Sequence, residues 1–179
     1  MPRIAPVDLT HTDAQTAATL DAVKRKLGML PNLFSTLAQA PVALQAYLGL
    51  AETLGRGRLS ARQREIIALA VAQTHGCEYC LSAHSLMGKG AGLSAAELLA
   101  ARAGKAADPL EARTAELATQ VLARRGRIHD SELLAAREAG LDDGLILEVV
   151  AQVALNVLTN FTNNLAHTDI DFPPVKAAL

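Results

Sequence analysis

A chain of 179 residues, half of them hydrophobic and 20% charged, has the length of one folded domain and the wrong composition for disorder or a collagen-like repeat. Seventeen basic residues against 18 acidic ones give a formal net charge of -1, so no overall field draws the chain to nucleic acid or to anionic lipid. Two cysteines are too few for a secreted disulfide framework, and the opening MPRIAPVDLTHTDAQT has no basic-then-apolar leader, which points to the cytoplasm.

Aromatic residues make up only 3% of the chain and Trp is absent, while Ala and Leu recur throughout. That bias favours closely packed helices over sheets, and an all-α fold is expected. In chain order, helices are predicted over residues 12–27, 32–39, 41–54, 60–75, 78–89, 94–103, 109–125, 130–138 and 142–167. Ser60 with Gln63, and Ser94 with Glu97, have the spacing of capping boxes, and Gly104, Gly126 and Gly140 stand where helices should stop. No linker divides the chain, so residues 1–179 read as a single domain: N-terminal helices over 1–58, a cysteine-bearing core over 59–103 and C-terminal helices over 104–179.

The final helix carries Glu148, Gln152, Asn156 and Asn160 and is a poor membrane span. Its nearly all-round apolar surface calls for burial or a subunit contact, and homo-oligomerisation is expected. Asn156, Asn160, Asn163 and His167 form a polar stripe on it, read either as pocket lining or as hydrogen bonding across a helix or subunit interface. A shift of the chain by 83 positions sets Cys77, Cys80 and His84 against Asn160, Asn163 and His167, and Glu65-Ile66-Ile67-Ala68 against Glu148-Val149-Val150-Ala151. The echo has two readings, a diverged helical repeat or coincidence among Ala-rich helices.

The chemistry concentrates in REIIALAVAQTHGCEYCLSAH, residues 64–84. At about 100° per helical residue, Cys77, Cys80 and His84 fall within a stripe about 60° wide, so two thiols and an imidazole share a face. Gly76 should end one helix and leave the cysteines in the first turn of the next, where free amides and the helix dipole favour a thiolate. If the two helices form a hairpin about Gly76, Glu65 lies about 16 Å from the bend and His84 about 12 Å, near enough in height to pair. Ala68, Leu69 and Ala72 share the face of Glu65, and a carboxyl buried there needs a partner.

Other readings of these residues stay open. Cys77, Cys80, His84 and His75 supply the number of ligands a structural zinc site requires, although such sites usually draw their ligand pairs from separate elements. The cysteines can also be inert core thiols, Glu65 a solvated charge beside Arg62, Gln63 and Arg64, and His84 a satisfied core histidine. His75 reads as a helix-end residue interacting with terminal carbonyls, and His11, His129 and His167 as surface or capping groups. Tyr79 reads as packing.

The motif built from Glu65, the sequence Cys77-Glu78-Tyr79-Cys80 and His84 resembles the carboxymuconolactone decarboxylase superfamily, and within it the alkyl hydroperoxidase AhpD-like, peroxidase-related branch. LGMLPNLFSTLAQAP before it and ALNVLTNFTNNLAHTDIDFP after it resemble the same branch. The resemblance implies an AhpD-like multihelical bundle with the CxxC at the N-terminus of a central helix, assembled into oligomers. It implies a thiol-dependent peroxidase in which Cys80 attacks a hydroperoxide, Cys77 resolves it, and Glu65 and His84 relay protons. The partners are then a hydroperoxide and an external dithiol, of thioredoxin or lipoyl type, with no cofactor and no metal. Well-known peroxidases of the branch have a histidine where this chain has Tyr79, which leaves Tyr79 as an accessory candidate. A disulfide oxidoreductase or redox sensor with little peroxide turnover is the alternative, with a zinc-binding helical module behind it.

Overall fold

One helical stretch of seven apolar residues is buried on every side, and the rest of the fold is arranged around the helix that carries it. In the computed structural model, which describes residues 1–178, the segment from Ile66 to Ala72 has no exposed face. A helix apolar all round belongs at the centre of a bundle. This helix is α4 (Ala61–Thr74), and α5 (Glu78–Gly90), α6 (Ala95–Arg102), α7 (Pro109–Arg124) and α9 (Asp143–Ala166) all pack on it. The remaining helices are α1 (Ala14–Leu27), α2 (Asn32–Leu37), α3 (Pro41–Gly55) and α8 (Asp130–Glu138), and among the described residues there is no strand.

Two cores meet on α4. Ile66, Leu69 and Ala72 face one that contains Leu20, Leu33, Phe34 and Leu44, and Cys77, Tyr79 and Cys80 belong to it. Ile67 and Val71 face the other, made with Leu117, Val121, Leu141, Leu145 and Val149. The cysteines therefore stand at the edge of a hydrophobic core that α1, α2 and α3 help to close.

All nine expected helices are present among the described residues, and the differences at their ends have a common cause. Asp13, Ser60, Ser94 and Asp142 are N-caps whose side chains accept backbone N–H groups, and His75 and His167 are C-caps. The periodicity continues through such residues while the backbone has already left the helix. Both capping boxes form, and Gly104, Gly126 and Gly140 adopt positive φ after the helices they end. The 83-residue echo is not a structural repeat: its first half is a hairpin broken at Gly76, while its second half is continuous within α9.

The last residues cross back over the start of α5. Asp171 accepts the backbone N–H of Asn32 (2.7 Å), Val175 donates to the Ser82 hydroxyl (2.9 Å) and Lys176 pairs with Glu78 (3.1 Å). Arg102, buried under this segment, donates to Gln73 (2.7 Å) and to the carbonyl of Lys176 (2.7 Å). This strap passes over the end of the molecule that holds the sulfurs.

Candidate active site at the start of α5

The turn between α4 and α5 fixes the first sulfur. Gly76 takes φ +60, the Gly76 N–H donates to the carbonyl of Gln73 (3.1 Å) and the Cys77 N–H to that of Ala72 (3.0 Å). These are the two bonds of a Schellman motif, in which glycine supplies the left-handed residue. Cys77 thus closes α4 and, in the same position, is the N-cap of α5.

As N-cap, the Cys77 sulfur accepts the backbone N–H of Cys80 at 3.3 Å. The two Sγ atoms lie 2.7 Å apart and are hydrogen-bonded to each other. Both cysteines are buried, at 0% and 2% exposure. The bond from Cys80 holds the Cys77 thiol below its usual range against the cost of burial, helped by the backbone amide of Cys80 and by His84. The same bond, with burial and the charge on Cys77, pushes the Cys80 thiol far up, while Asn163 and Thr159 oppose that shift. Of the two buried thiols, Cys77 is thus the more acidic.

His84 lies one helical turn beyond Cys80, and its Nδ1 is 2.8 Å from Oε2 of Glu65 on α4. The hairpin pairing expected from the sequence is formed, and both side chains are largely buried. Burial opposes charge on the imidazole, but the Glu65 carboxylate, its hydrogen bond and Cys77 outweigh burial, so His84 stays protonated to higher pH than usual. A carboxylate–imidazole pair therefore stands one helical turn beyond a pair of buried thiols, which is the equipment for moving protons to and from sulfur.

The other candidates separate from this group. Tyr79 is buried, accepts the Leu33 N–H on its hydroxyl (3.1 Å) and meets Phe172 edge-on at 5.6 Å; burial above all pushes its phenol well up. His75 does not cap the α4 carbonyls with its ring, because Nδ1 faces Asn160 Oδ1 at 3.1 Å and the ring packs on Phe161. The four-ligand zinc set is consequently not assembled, and among the described residues no group of three or more His, Cys, Asp or Glu side chains is placed to hold a metal. His11 pairs with Asp8, and His129 is the N-cap of α8.

Two residues from distant helices bear on the site without a local signal of that partner. Asn163 on α9 donates its side-chain N–H to Cys80 Sγ at 3.3 Å, across 83 residues of sequence. That offset is the one in the internal echo, so the echo aligned residues that touch. Tyr47 on α3 lies in the field of Cys80 and Glu65, and burial first, then those charges, push its phenol up to about 12.

An all-helical bundle with a CxxC pair at the head of a helix packed on its central helix defines an AhpD-like protein. Residues 41–119 match the model of the carboxymuconolactone decarboxylase family, and the fold is AhpD-like. It is 33% identical over 109 residues to an alkyl hydroperoxide reductase of Mycobacterium tuberculosis. The chain spans 42% and 32% of the lengths of two curated relatives that it matches. In structure it is similar to an alkylhydroperoxidase AhpD core, a peroxidase-related protein from Ralstonia eutropha JMP134, with a TM-score of 0.86 and 23% identity over 95% of this chain and 92% of the other. It is also similar to the debrominase Bmp8 in complex with 2,3,4-tribromopyrrole, with a TM-score of 0.78 and 17% identity over 94% of this chain and 91% of that one.

Proposed function

We propose that this chain is a thiol-dependent hydroperoxidase that cycles Cys77 and Cys80 between dithiol and disulfide. The observation that carries the reading is the hydrogen-bonded sulfur pair in the first turn of α5 with the Glu65–His84 pair one helical turn beyond it. The likeness to an alkyl hydroperoxide reductase and to a peroxidase-related core supports it.

In this reading the Cys80 proton moves along the sulfur contact to Cys77, and the freed Cys80 thiolate attacks the terminal oxygen of ROOH. An S–O bond forms, the O–O bond breaks, and the departing alkoxide takes a proton from the His84 imidazolium. Cys77 then gives its proton to the neutral His84 and attacks the Cys80 sulfenic acid. An S–S bond forms, and the hydroxide leaves as water with the His84 proton. One peroxide has become an alcohol and water, and the two electrons come from the thiols. An external dithiol, of thioredoxin or lipoyl type, returns the pair to its reduced state. Glu65 steadies the imidazolium through both proton transfers.

The experiment is peroxide consumption with a panel of dithiol donors, on the wild type and on Cys80→Ser and Cys77→Ser. The wild type should turn over, Cys80→Ser should fall to background, and Cys77→Ser should stop after one peroxide with a sulfenic acid that can be trapped. A wild type that consumes no hydroperoxide with any donor contradicts the reading.

A second reading, a disulfide oxidoreductase or redox sensor with little peroxide turnover, draws on Tyr79. Burial above all pushes its phenol well up, which makes it a poor proton donor between the cysteines. Rapid disulfide exchange with no trappable sulfenic acid would favour it.

A further inference from the structure

Next to Gly76 and Tyr79, the neighbours of the two cysteines in sequence, an open cleft of about 440 Å³ lies between the start of α5 and the end of α9, bordered also by Asn163, His167, Thr168 and Ile170. Among its bordering side chains, Asn163 and Thr168 are more than nine-tenths buried, at 3% and 8% exposure. Each has an oxygen, Asn163 Oδ1 and Thr168 Oγ1, with no hydrogen-bond partner among the described residues. Buried oxygens without partners carry the full cost of lost hydration, and at the edge of a cleft they mark a place where a ligand completes the bonding. The other end of the Asn163 amide donates to Cys80 Sγ at 3.3 Å. Anything that donates a hydrogen to Oδ1 is therefore held within one amide group of that sulfur.

We propose that this cleft is the port for an organic hydroperoxide and that Asn163 orients it, accepting the peroxide O–H on Oδ1 while its amide N–H steadies Cys80. The inference rests on the peroxidase reading and adds to it a route and a contact. The terminal peroxide oxygen, bonded to Oδ1, is set beside Cys80, the sulfur that attacks it in that reading. Thr168 Oγ1 supplies the second polar anchor, and the carbon substituent lies outward along Tyr79 and Ile170. Hydrogen peroxide can use the Asn163 contact but has no group to fill the remainder of the cleft, so the organic substrate is preferred.

The test compares kcat and KM for cumene hydroperoxide and for hydrogen peroxide, with dithiothreitol as donor, in the wild type, Asn163→Ala and Thr168→Val. Iodoacetamide alkylation of the cysteines across pH serves as a check on the sulfurs themselves. Asn163→Ala should lower kcat/KM for cumene hydroperoxide about 10- to 100-fold, the loss of one or two bonds made to the reacting oxygen. Thr168→Val, which leaves the Cys80 contact intact, should raise KM for cumene hydroperoxide several-fold more than KM for hydrogen peroxide, with an unchanged alkylation profile. If the wild type consumes peroxide while Thr168→Val matches it on both substrates and Asn163→Ala does the same or fails to fold, the port is elsewhere and the peroxidase reading stands. A Thr168→Val variant that loses both substrates equally also overturns the port. A wild type inert to every peroxide overturns the reading and this inference together.

Discussion

At the residue scale, the site depends on how Glu65 and His84 hold a proton beside sulfur. Burial alone would drive the imidazole neutral, and the carboxylate 2.8 Å away reverses the sign. Because the folded protein raises the His84 pKa, this pair stabilises the fold fully below the ordinary histidine value of 6.5 and loses that contribution as pH rises through the raised value. Glu65→Gln leaves a buried imidazole without its counter-charge. The melting temperature of this variant should therefore fall most, relative to wild type, on the acid side of 6.5 and least at alkaline pH, and the His84 resonance should titrate at lower pH. Peroxide turnover should drop about 100-fold, the usual scale for a lost proton-transfer group. A deficit that grows toward alkaline pH would show that the pair is not held as an imidazolium and carboxylate. Tyr79 makes the opposite case. Tyr79→Phe removes the acceptor of the Leu33 N–H and should cost about 1–3 kcal/mol in chemical denaturation, with peroxide turnover per folded molecule unchanged. A collapse of turnover in a stable Tyr79→Phe protein would give the phenol the proton-donor role that its burial argues against.

At the element scale, one glycine converts two helices into a site. Gly76 has φ +60 with nothing near the position of a Cβ, so a substitution there is opposed by backbone conformation and not by crowding. Gly76→Ala should cost about 1–2 kcal/mol, or about 2–8 °C in melting temperature for a domain of this size. The variant should also alkylate Cys77 less readily, since the Schellman turn presents that sulfur to the α5 amides. Unchanged melting and alkylation would mean that the turn does not position the thiol. This dependence on local geometry explains what could be read from the sequence. The Gly76 break, the Cys77–Cys80–His84 face and the Ser60 and Ser94 caps are set by residues a few positions apart, and Glu65 follows once the hairpin is granted. Asn163, Thr168 and Tyr47 come from α9, the segment after it and α3. Nothing in their own neighbourhoods says which helix they meet, because that choice is made when α4 buries every face. The polar stripe on α9 was visible, but its partner was not; only the 83-residue offset, shared with the Asn163–Cys80 contact, carried a trace of it.

At the scale of the whole molecule, α9 has two sides with different roles. Its inner side supplies Val149, Val153 and Asn163 to the bundle, while Leu147, Val150, Ala154, Leu158, Phe161 and Leu165 are exposed. These six positions fall within an arc about 80° wide, a continuous apolar stripe of the kind that soluble proteins cover. Self-association through this face is expected, and sedimentation equilibrium should give a mass above the 18.8 kDa of one chain. Leu158→Glu with Leu165→Glu should return it to one chain, and a wild type that sediments as a monomer would contradict the expectation. The central claim concerns the other side of α9, where the bundle brings two thiols and a proton relay to one point. Its most direct test mixes anaerobically reduced protein with a single equivalent of cumene hydroperoxide and follows free thiols and intact mass together. The account predicts that the peroxide is consumed, that both thiols disappear with the loss of two hydrogens per chain, and that Cys80→Ser consumes none. Peroxide left unreacted beside two intact thiols would contradict it.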